Sequence, residues 1–420
     1  MAAGFVPGVM TPALPIPPMT WRILTKEHAF PGSLIAADHH PMRIALFTEA
    51  YAPQVNGVVR TQVELVRYLN MRGHQVLQVV PYDKTNPRQE QVVEFRSVPF
   101  PLYPEMPIIL PHWRFHRREF VKVEAFKPDL IHLMSPGVMG YFGRVWARRH
   151  GFPVVASYET DIIRYLHYYG FGIFEPLLWR YLRWLFNPCQ HTYVPSPVTR
   201  DELIKGGIRE VRVFERGVDG VQFHPCKRSE AVRDSLGVKP GGALVLYAGR
   251  ISQEKSLDVL LRAFIRLAVE HPNARLVVTG DGPHRKALVR SFRNPRITFT
   301  SWKCGEELAA LFASADVFAL PSSTETLSLV SMESMASGVP VLAMNAGGVR
   351  TVVDHEMTGL LANSVQEFEL GLRRLVEDAP LRMRLGLNGR RYAEGKTWSR
   401  AFEGLEQNYL EALAAGHKNA

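Results

Sequence analysis

Apolar residues come in short runs separated by amphipathic stretches, and the alternation begins at Met42. Residues 43–48 (RIALFT) are a run of apolar and β-branched positions, which predicts a strand. Residues 58–71 follow a helical repeat, with Val59, Val63, Leu65, Val66 and Leu69 on one side and Gly73 as a stop. Residues 75–80 (QVLQVV) predict the next strand. Strand, helix, strand at this spacing is a βαβ unit, and its crossover requires a parallel sheet. Further strands are expected at 129–133, 153–157, 191–194 and 211–214.

The pattern then breaks. Gly217, Asp219, Gly220 and Pro225, followed by a soft stretch at 237–242, mark the expected interdomain linker. The same grammar restarts with strands at 243–248 (ALVLYA), 275–279, 297–300, 317–320 and 340–343, and an amphipathic helix at 257–270. A length of 420 residues suits two domains better than one core. Each half reads as an open, doubly wound α/β sheet of the Rossmann kind. Ligands of such sheets bind beyond the carboxyl ends of the strands, so two facing sheets make a cleft. Residues 1–41 carry seven prolines and little periodicity. They read as a disordered leader, because prolines interrupt the apolar stretch a secretory signal needs. Met42 is an alternative start.

Composition narrows the class. Hydrophobic residues are 46% and charged residues 21%, as in ordinary globular proteins. Cys189, Cys226 and Cys304 show no paired spacing, which argues against a disulfide framework or zinc site and suits a reducing, cytoplasmic compartment. No apolar run reaches the roughly 18 residues of a membrane span. The net charge of +10 favours phosphate-bearing partners without choosing among nucleotides, nucleic acid and anionic lipid.

Three segments carry candidate chemistry. PSSTETLSLVSMESMASGVPV (321–341) follows a buried strand, with Thr324, Thr326 and Ser328 as candidate caps of a helix running to Ala336. The amino end of that helix favours phosphate, and Glu325 and Glu333 offer carboxylates to hydroxyl groups. GRISQEK (249–255) places Arg250 and Lys255 at another strand end, where two cations suit a diphosphate. The loop 49–57 ends in Asn56-Gly57, a pair that permits positive φ and close backbone approach. GDGPHR (280–285) lacks the dinucleotide fingerprint and reads as a turn, and GRRYAEGKT (389–397) has the wrong spacing for a phosphate loop. Taken singly, each segment also reads as an ordinary capped helix or charged loop.

Together, and in order, the segments resemble glycosyltransferase family 4, the retaining GT-B enzymes. The resemblance runs from Met42 to Leu413 through TEAYAPQVNGVVRT, SYETDIIRYLHYYG, VPSPVTRDEL, ERGVDGVQFHP, YAGRISQEKSLDVLLRAF, VVTGDGP, the 306–341 segment, NAGGVRTVV and TGLL. It implies an acceptor-side domain over 42–220, a donor-binding domain over 221–400, and a terminal helix at 401–420 packed back on the first domain. It also implies hexose transfer from a GDP- or UDP-sugar to a lipid or glycan hydroxyl, with no metal or other cofactor. By position, Gly249, Arg250 and Lys255 and the amides of Leu327, Ser328 and Leu329 would meet the diphosphate. Glu333 would hold the ribose, Glu325 the sugar, and Gly57 the loop that closes on the donor. The branch it resembles contains sulfoquinovosyl- and glycosyl-diacylglycerol synthases and GDP-mannose-dependent α-mannosyltransferases.

Three positions depart from the family pattern. Ser334, a mild change, stands where Ala is common. Glu159 stands where the family has a catalytic His, and Leu327-Ser328 stands where Phe-Gly is usual. These leave open a nucleotide-sugar-binding protein with weak or lost transferase activity. Finally, 171–186 and 111–123 mix aromatic residues with arginine. The first segment reads more readily as core. Both also fit a peripheral contact with an anionic membrane, such as the inner membrane face. No recognised nucleic-acid module accompanies them.

Overall fold

A computed structural model describes residues 41–417 apart from 53, 55, 88–89, 101–102 and 111. The leader expected at 1–41 lies, but for its last residue, outside the described residues. The first half contains β1 (Arg43–Phe47), β2 (Gln75–Pro81), β3 (Val92–Phe95), β4 (Ser97–Phe100), β5 (Tyr103–Ile109), β6 (Leu130–Leu133), β7 (Val154–Ser157), β8 (His191–Val194) and β9 (Val211–Val213). Seven of these form one sheet of order β3-β2-β1-β6-β7-β8-β9, parallel at every junction, while β4 and β5 make a separate antiparallel ribbon. The second half contains β10 (Leu244–Ala248), β11 (Arg275–Thr279), β12 (Ile297–Thr300), β13 (Val317–Leu320), β14 (Val341–Met344) and β15 (Gly359–Ala362). They form a parallel six-stranded sheet of order β12-β11-β10-β13-β14-β15. In each sheet the strand order reverses direction beside the first strand, at β1/β6 and at β10/β13. Those are the switch points where doubly wound sheets bind ligands.

Helices cover both faces, so central strands are apolar throughout rather than alternating. Every residue of β6, β7, β10 and β13 is buried. The Gly57–Met71 helix buries Val59, Gln62, Leu65 and Leu69, one side at helical spacing. The Leu257–Glu270 helix buries Leu257, Leu260, Leu261, Phe264, Leu267 and Ala268 in the same way.

The chain crosses between domains twice, side by side. Val218 N–H donates to the Lys396 carbonyl at 2.8 Å, and Lys396 pairs with Glu215 at 2.6 Å. A Cβ on Gly217 would sit 2.2 Å from the Trp398 amide nitrogen, so only glycine lets the two segments touch. The linker expected at 217–242 is therefore shorter. Gly237 and Gly241, both at positive φ, are turns inside the second domain, whose core takes Val238. The terminal helix begins at Trp398 rather than 401 and buries Trp398, Phe402, Leu405, Tyr409 and Ala412 against β1, β2 and the Gly57–Met71 helix. Burial of each large side chain contributes roughly 1.5–3 kcal/mol. Glu406 of this helix accepts from Tyr68 (2.8 Å) and Arg72 (3.2 Å) and bonds His74 (2.9 Å), which holds its carboxyl down to about 2 despite burial.

Candidate active site

Every site segment lies at the carboxyl end of a parallel strand. The loop after β10 brings Gly249, Arg250 and Lys255 to the cleft, and Lys255 Nζ meets Glu325 Oε1, on the loop after β13, at 2.7 Å. Burial works against the Lys255 charge, but Glu325 beside it prevails and raises its pKa. Gly280 and Gly282 support this loop from behind. A Cβ on Gly280 would lie 1.9 Å from the Gly249 carbonyl, and Ile251 N–H donates to the Asp281 carbonyl at 2.8 Å. GDGPHR is thus a turn, as read, and also the floor of the loop that carries Arg250 and Lys255.

The loop after β13 is held from two sides. Gly348 N–H donates to the Glu325 carbonyl at 2.8 Å, and a Cβ on Gly348 would fall 1.8 Å from the Thr326 carbonyl oxygen. NAGGVR is therefore packing for the Glu325–Leu327 turn. Among the three candidate caps, Ser328 alone caps the Leu329–Ala336 helix, its Oγ accepting from Ser331 N–H. Ser328 sits at φ 89°, a conformation that favours glycine. Glu333, one turn on, has its side chain 4% exposed.

The first domain approaches this turn with Glu159, already a candidate, and with Arg60, Arg164 and Tyr165, which sequence reasoning did not single out. Thr326 Oγ1 donates to the Glu159 carbonyl at 3.1 Å, and Arg164 donates to the Ser323 carbonyl at 3.1 Å. Tyr165, from the Ile162–Tyr168 helix, feels the charges of Lys255 and Glu325, and burial raises its pKa. Arg60, on the Gly57–Met71 helix, forms a short ion pair with Glu333. A buried strand followed by a polar cluster was the available signal, and it located loops rather than their partners across the cleft.

Glu159 is not an isolated negative charge. Its Oε2 pairs with Arg216, the two side chains being 7% and 3% exposed, and its Oε1 is buried without a partner. Arg216 also donates to the Phe214 carbonyl at 2.7 Å and lies 4.0 Å from the Phe214 ring centre. The Asn56-Gly57 expectation needs correction. Asn56 is extended (φ −154°) and caps the helix through Oδ1, accepting from Val59 N–H at 2.9 Å, and Gly57 is the first helical residue. A Cβ at position 57 would make ordinary contact with Leu329 Cδ1 at 3.4 Å, so neither φ nor packing demands glycine there. At the start of the same loop, burial pushes Glu49 up to about 7, and its carboxyl accepts from Met139 N–H, capping the Val138–His150 helix.

The aromatic stripe at 171–186 is divided rather than core throughout. Leu182, Leu185 and Phe186 are buried, whereas Phe171, Ile173, Phe174, Leu177 and Trp184 are exposed. Trp113 and Phe115 are exposed as well. Cys189, Cys226 and Cys304 are all free. Among the described residues, Glu270, His271 and Glu377 bring possible metal-ligating atoms within 4.8 Å. They lie at the far end of the Leu257–Glu270 helix from Lys255, where Arg373 already pairs with Glu270. No helix among the described residues is long and apolar enough to cross a membrane.

Two facing parallel sheets with cations and carboxylates at their switch points define a GT-B glycosyltransferase. Residues 55–220 match the model for Glycosyltransferase Family 4, and residues 228–392 match that for Glycosyl transferases group 1. The chain is 34% identical over 377 residues to the sulfoquinovosyl transferase SQD2 of Arabidopsis thaliana, covering 86% of this chain and 72% of that one. It is 35% identical over 370 residues to a GDP-mannose-dependent alpha-mannosyltransferase of Mycobacterium tuberculosis, covering 85% and 93%. Among solved structures, sucrose-phosphate synthase from Thermosynechococcus elongatus superposes with a TM-score of 0.73 at 22% identity, over 89% of this chain and 100% of that chain. Anabaena HepE in complex with UDP-glucose gives 0.70 at 18%, over 88% and 100%. The chain belongs to glycosyltransferase family 4.

Proposed function

We propose that this enzyme transfers a hexose, with retention, from GDP- or UDP-sugar to a hydroxyl of a lipid or glycan. The observation that carries the donor side is the convergence of Lys255, Glu325 and the capped Leu329–Ala336 helix at one strand-end gap. Arg250 and Lys255 take the diphosphate, and the amides of Leu327, Ser328 and Leu329 complete its cradle. Glu333 accepts from ribose hydroxyls and Glu325 from the sugar. Glu159, held by Arg216, borders the donor-sugar side of the cleft. In this reading Arg250, Lys255 and the backbone amides meet the diphosphate charge. The acceptor hydroxyl attacks the anomeric carbon from the face of the leaving diphosphate, as the carbon–oxygen bond to phosphate breaks. The departing phosphate oxygen takes the acceptor's proton. The weak-activity alternative loses its electrostatic motive, because Arg216 neutralises Glu159.

The acceptor enters over the first domain, beside a concavity lined by Tyr158, Asp161, Arg164, Trp179, Glu202 and Lys205. The exposed Phe171, Ile173, Phe174, Leu177 and Trp184, interleaved with exposed Arg180 and Arg183, dock peripherally on an anionic membrane. The principal test is calorimetry with GDP-, UDP- and ADP-sugars. Lys255→Ala should weaken the binding sugar nucleotide at least tenfold, the loss expected for a charge-assisted hydrogen bond; unchanged affinity would sink the donor assignment. NMR of the product's anomeric configuration tests retention. Sedimentation with phosphatidylglycerol against phosphatidylcholine vesicles tests the membrane contact.

A further inference from the structure

We infer that Arg60 is a positioning residue for nucleotide recognition. It holds Glu333 charged and oriented across the cleft, so that ribose is read only when the first domain is seated on the donor domain. The inference rests on the assignment of Glu333 to the ribose.

Glu333 stands on the Leu329–Ala336 helix between Met332 and Met335, both in the apolar core of the second domain. A carboxylate so placed is costly to ionise without a partner. Two other carboxylates at the cleft have cations from their own domain, Glu325 with Lys255 and Glu159 with Arg216. The cation of Glu333 comes from the opposite domain, in the first turn of the Gly57–Met71 helix. Arg60 is itself fixed. Its guanidinium lies 5.3 Å from the ring centre of Phe223, a fully buried residue of the second domain's core. Below it, Leu329 packs against the cores of both domains and lies 3.4 Å from the position a Cβ on Gly57 would take. The gap around the ion pair is closed by Gly217, Val218 and Trp398, the residues at the two chain crossings. Glu333, Arg60 and the crossing segments thus form one chain of contacts, which a ribose held by Glu333 would extend. Arg60 Nη1 engages Oε1 of Glu333; on the ribose assignment, Oε2 is the atom that meets a hydroxyl.

The test is a thermodynamic cycle between the protein side chain and the ribose hydroxyls. GDP and UDP, each with its 2′,3′-dideoxy counterpart, are titrated calorimetrically into wild type, Arg60→Met, Arg60→Lys, Glu333→Gln and the Arg60→Met/Glu333→Gln double variant. Wild type should prefer a ribonucleotide over its dideoxy form, and Glu333→Gln should abolish the preference. Arg60→Met should weaken the ribonucleotide about tenfold and leave dideoxy affinity within about twofold, with Arg60→Lys recovering part of the loss. In the double variant, which carries no unpaired buried carboxylate, dideoxy affinity should match that of wild type. Equal weakening of both nucleotides by Arg60→Met, or no weakening of either, overturns the role of Arg60. A preference that survives Glu333→Gln instead refutes the ribose assignment, and failure of both ribonucleotides to bind wild type refutes the donor reading.

Discussion

Replacing Glu159 by the histidine usual in the family should damage the protein rather than repair it. Arg216 is 4% exposed, pinned to the Phe214 carbonyl and stacked on the Phe214 ring, so it cannot swing into water when its carboxylate is removed. Breaking one side of a buried ion pair costs roughly 3–5 kcal/mol, most of it the penalty of the cation left behind. A neutral imidazole supplies no compensating charge, and a protonated one adds repulsion. Glu159→His should therefore lower the urea midpoint of the first domain's unfolding transition by the equivalent of about 3 kcal/mol. Glu159→Gln, which keeps a hydrogen-bond acceptor, should lose about half as much. The double change Glu159→Met/Arg216→Met should be more stable than Glu159→His, because it leaves no unpaired charge. Circular dichroism during urea titration reads all three, with transferase activity followed alongside. Wild-type stability for Glu159→His, or a gain in its activity by orders of magnitude, would refute this reasoning and restore the view that Glu159 marks a weakened catalyst.

Three further outcomes follow from single contacts. Ser328→Ala should destabilise by about 1 kcal/mol through loss of the cap, whereas Ser328→Gly should be neutral or stabilising, since relief of the positive φ, about 1–2 kcal/mol, offsets the lost cap and the entropy of glycine; thermal unfolding should order the proteins Ala below wild type and wild type at or below Gly. Gly348→Ala places a methyl 1.8 Å from the Thr326 carbonyl oxygen, so the Glu325–Leu327 turn must shift; nucleotide affinity should fall at least about tenfold by calorimetry while the circular dichroism spectrum stays unchanged. The carboxyl of Glu406 is depressed from 4.5 to about 2 in the fold, so its contribution, about 3 kcal/mol, is present above pH 4.5 and lost as pH falls toward 2; Glu406→Gln should flatten that acid limb, and an unchanged acid profile would contradict the role of its bonds to Tyr68, Arg72 and His74.

Much of the geometry around Lys255 and Glu325 was legible because it is local. LVLYA and VFAL are buried on both faces, so their strands appear as unbroken apolar runs, and the polar residues after them must lie at a strand end. Thr324, Thr326 and Ser328 announced a helix start through residue type, and the structure chose Ser328 as the cap. The exposed residues of 171–186 misled because aromatic spacing marks a helix side without saying whether another element covers it. Leu185 and Phe186 found a core, while Phe174 and Leu177 on the same helical stretch did not. Asn56-Gly57 misled because the dipeptide suits both a positive-φ turn and a helix cap, and the following apolar repeat decided for the cap.

Hydrophobic periodicity and motif order alone determined the two-domain α/β architecture, the family, and the loops that carry Arg250, Lys255, Glu325 and Glu333. Tertiary structure decided which charges meet. Arg60 and Glu333 are separated by 273 positions, Lys255 and Glu325 by 70, and Glu159 and Arg216 by 57. Local propensity acts over a few residues and carries no information about such pairings. They arise only when parallel sheets direct their strand ends into one cleft and burial forces each charge to find its opposite.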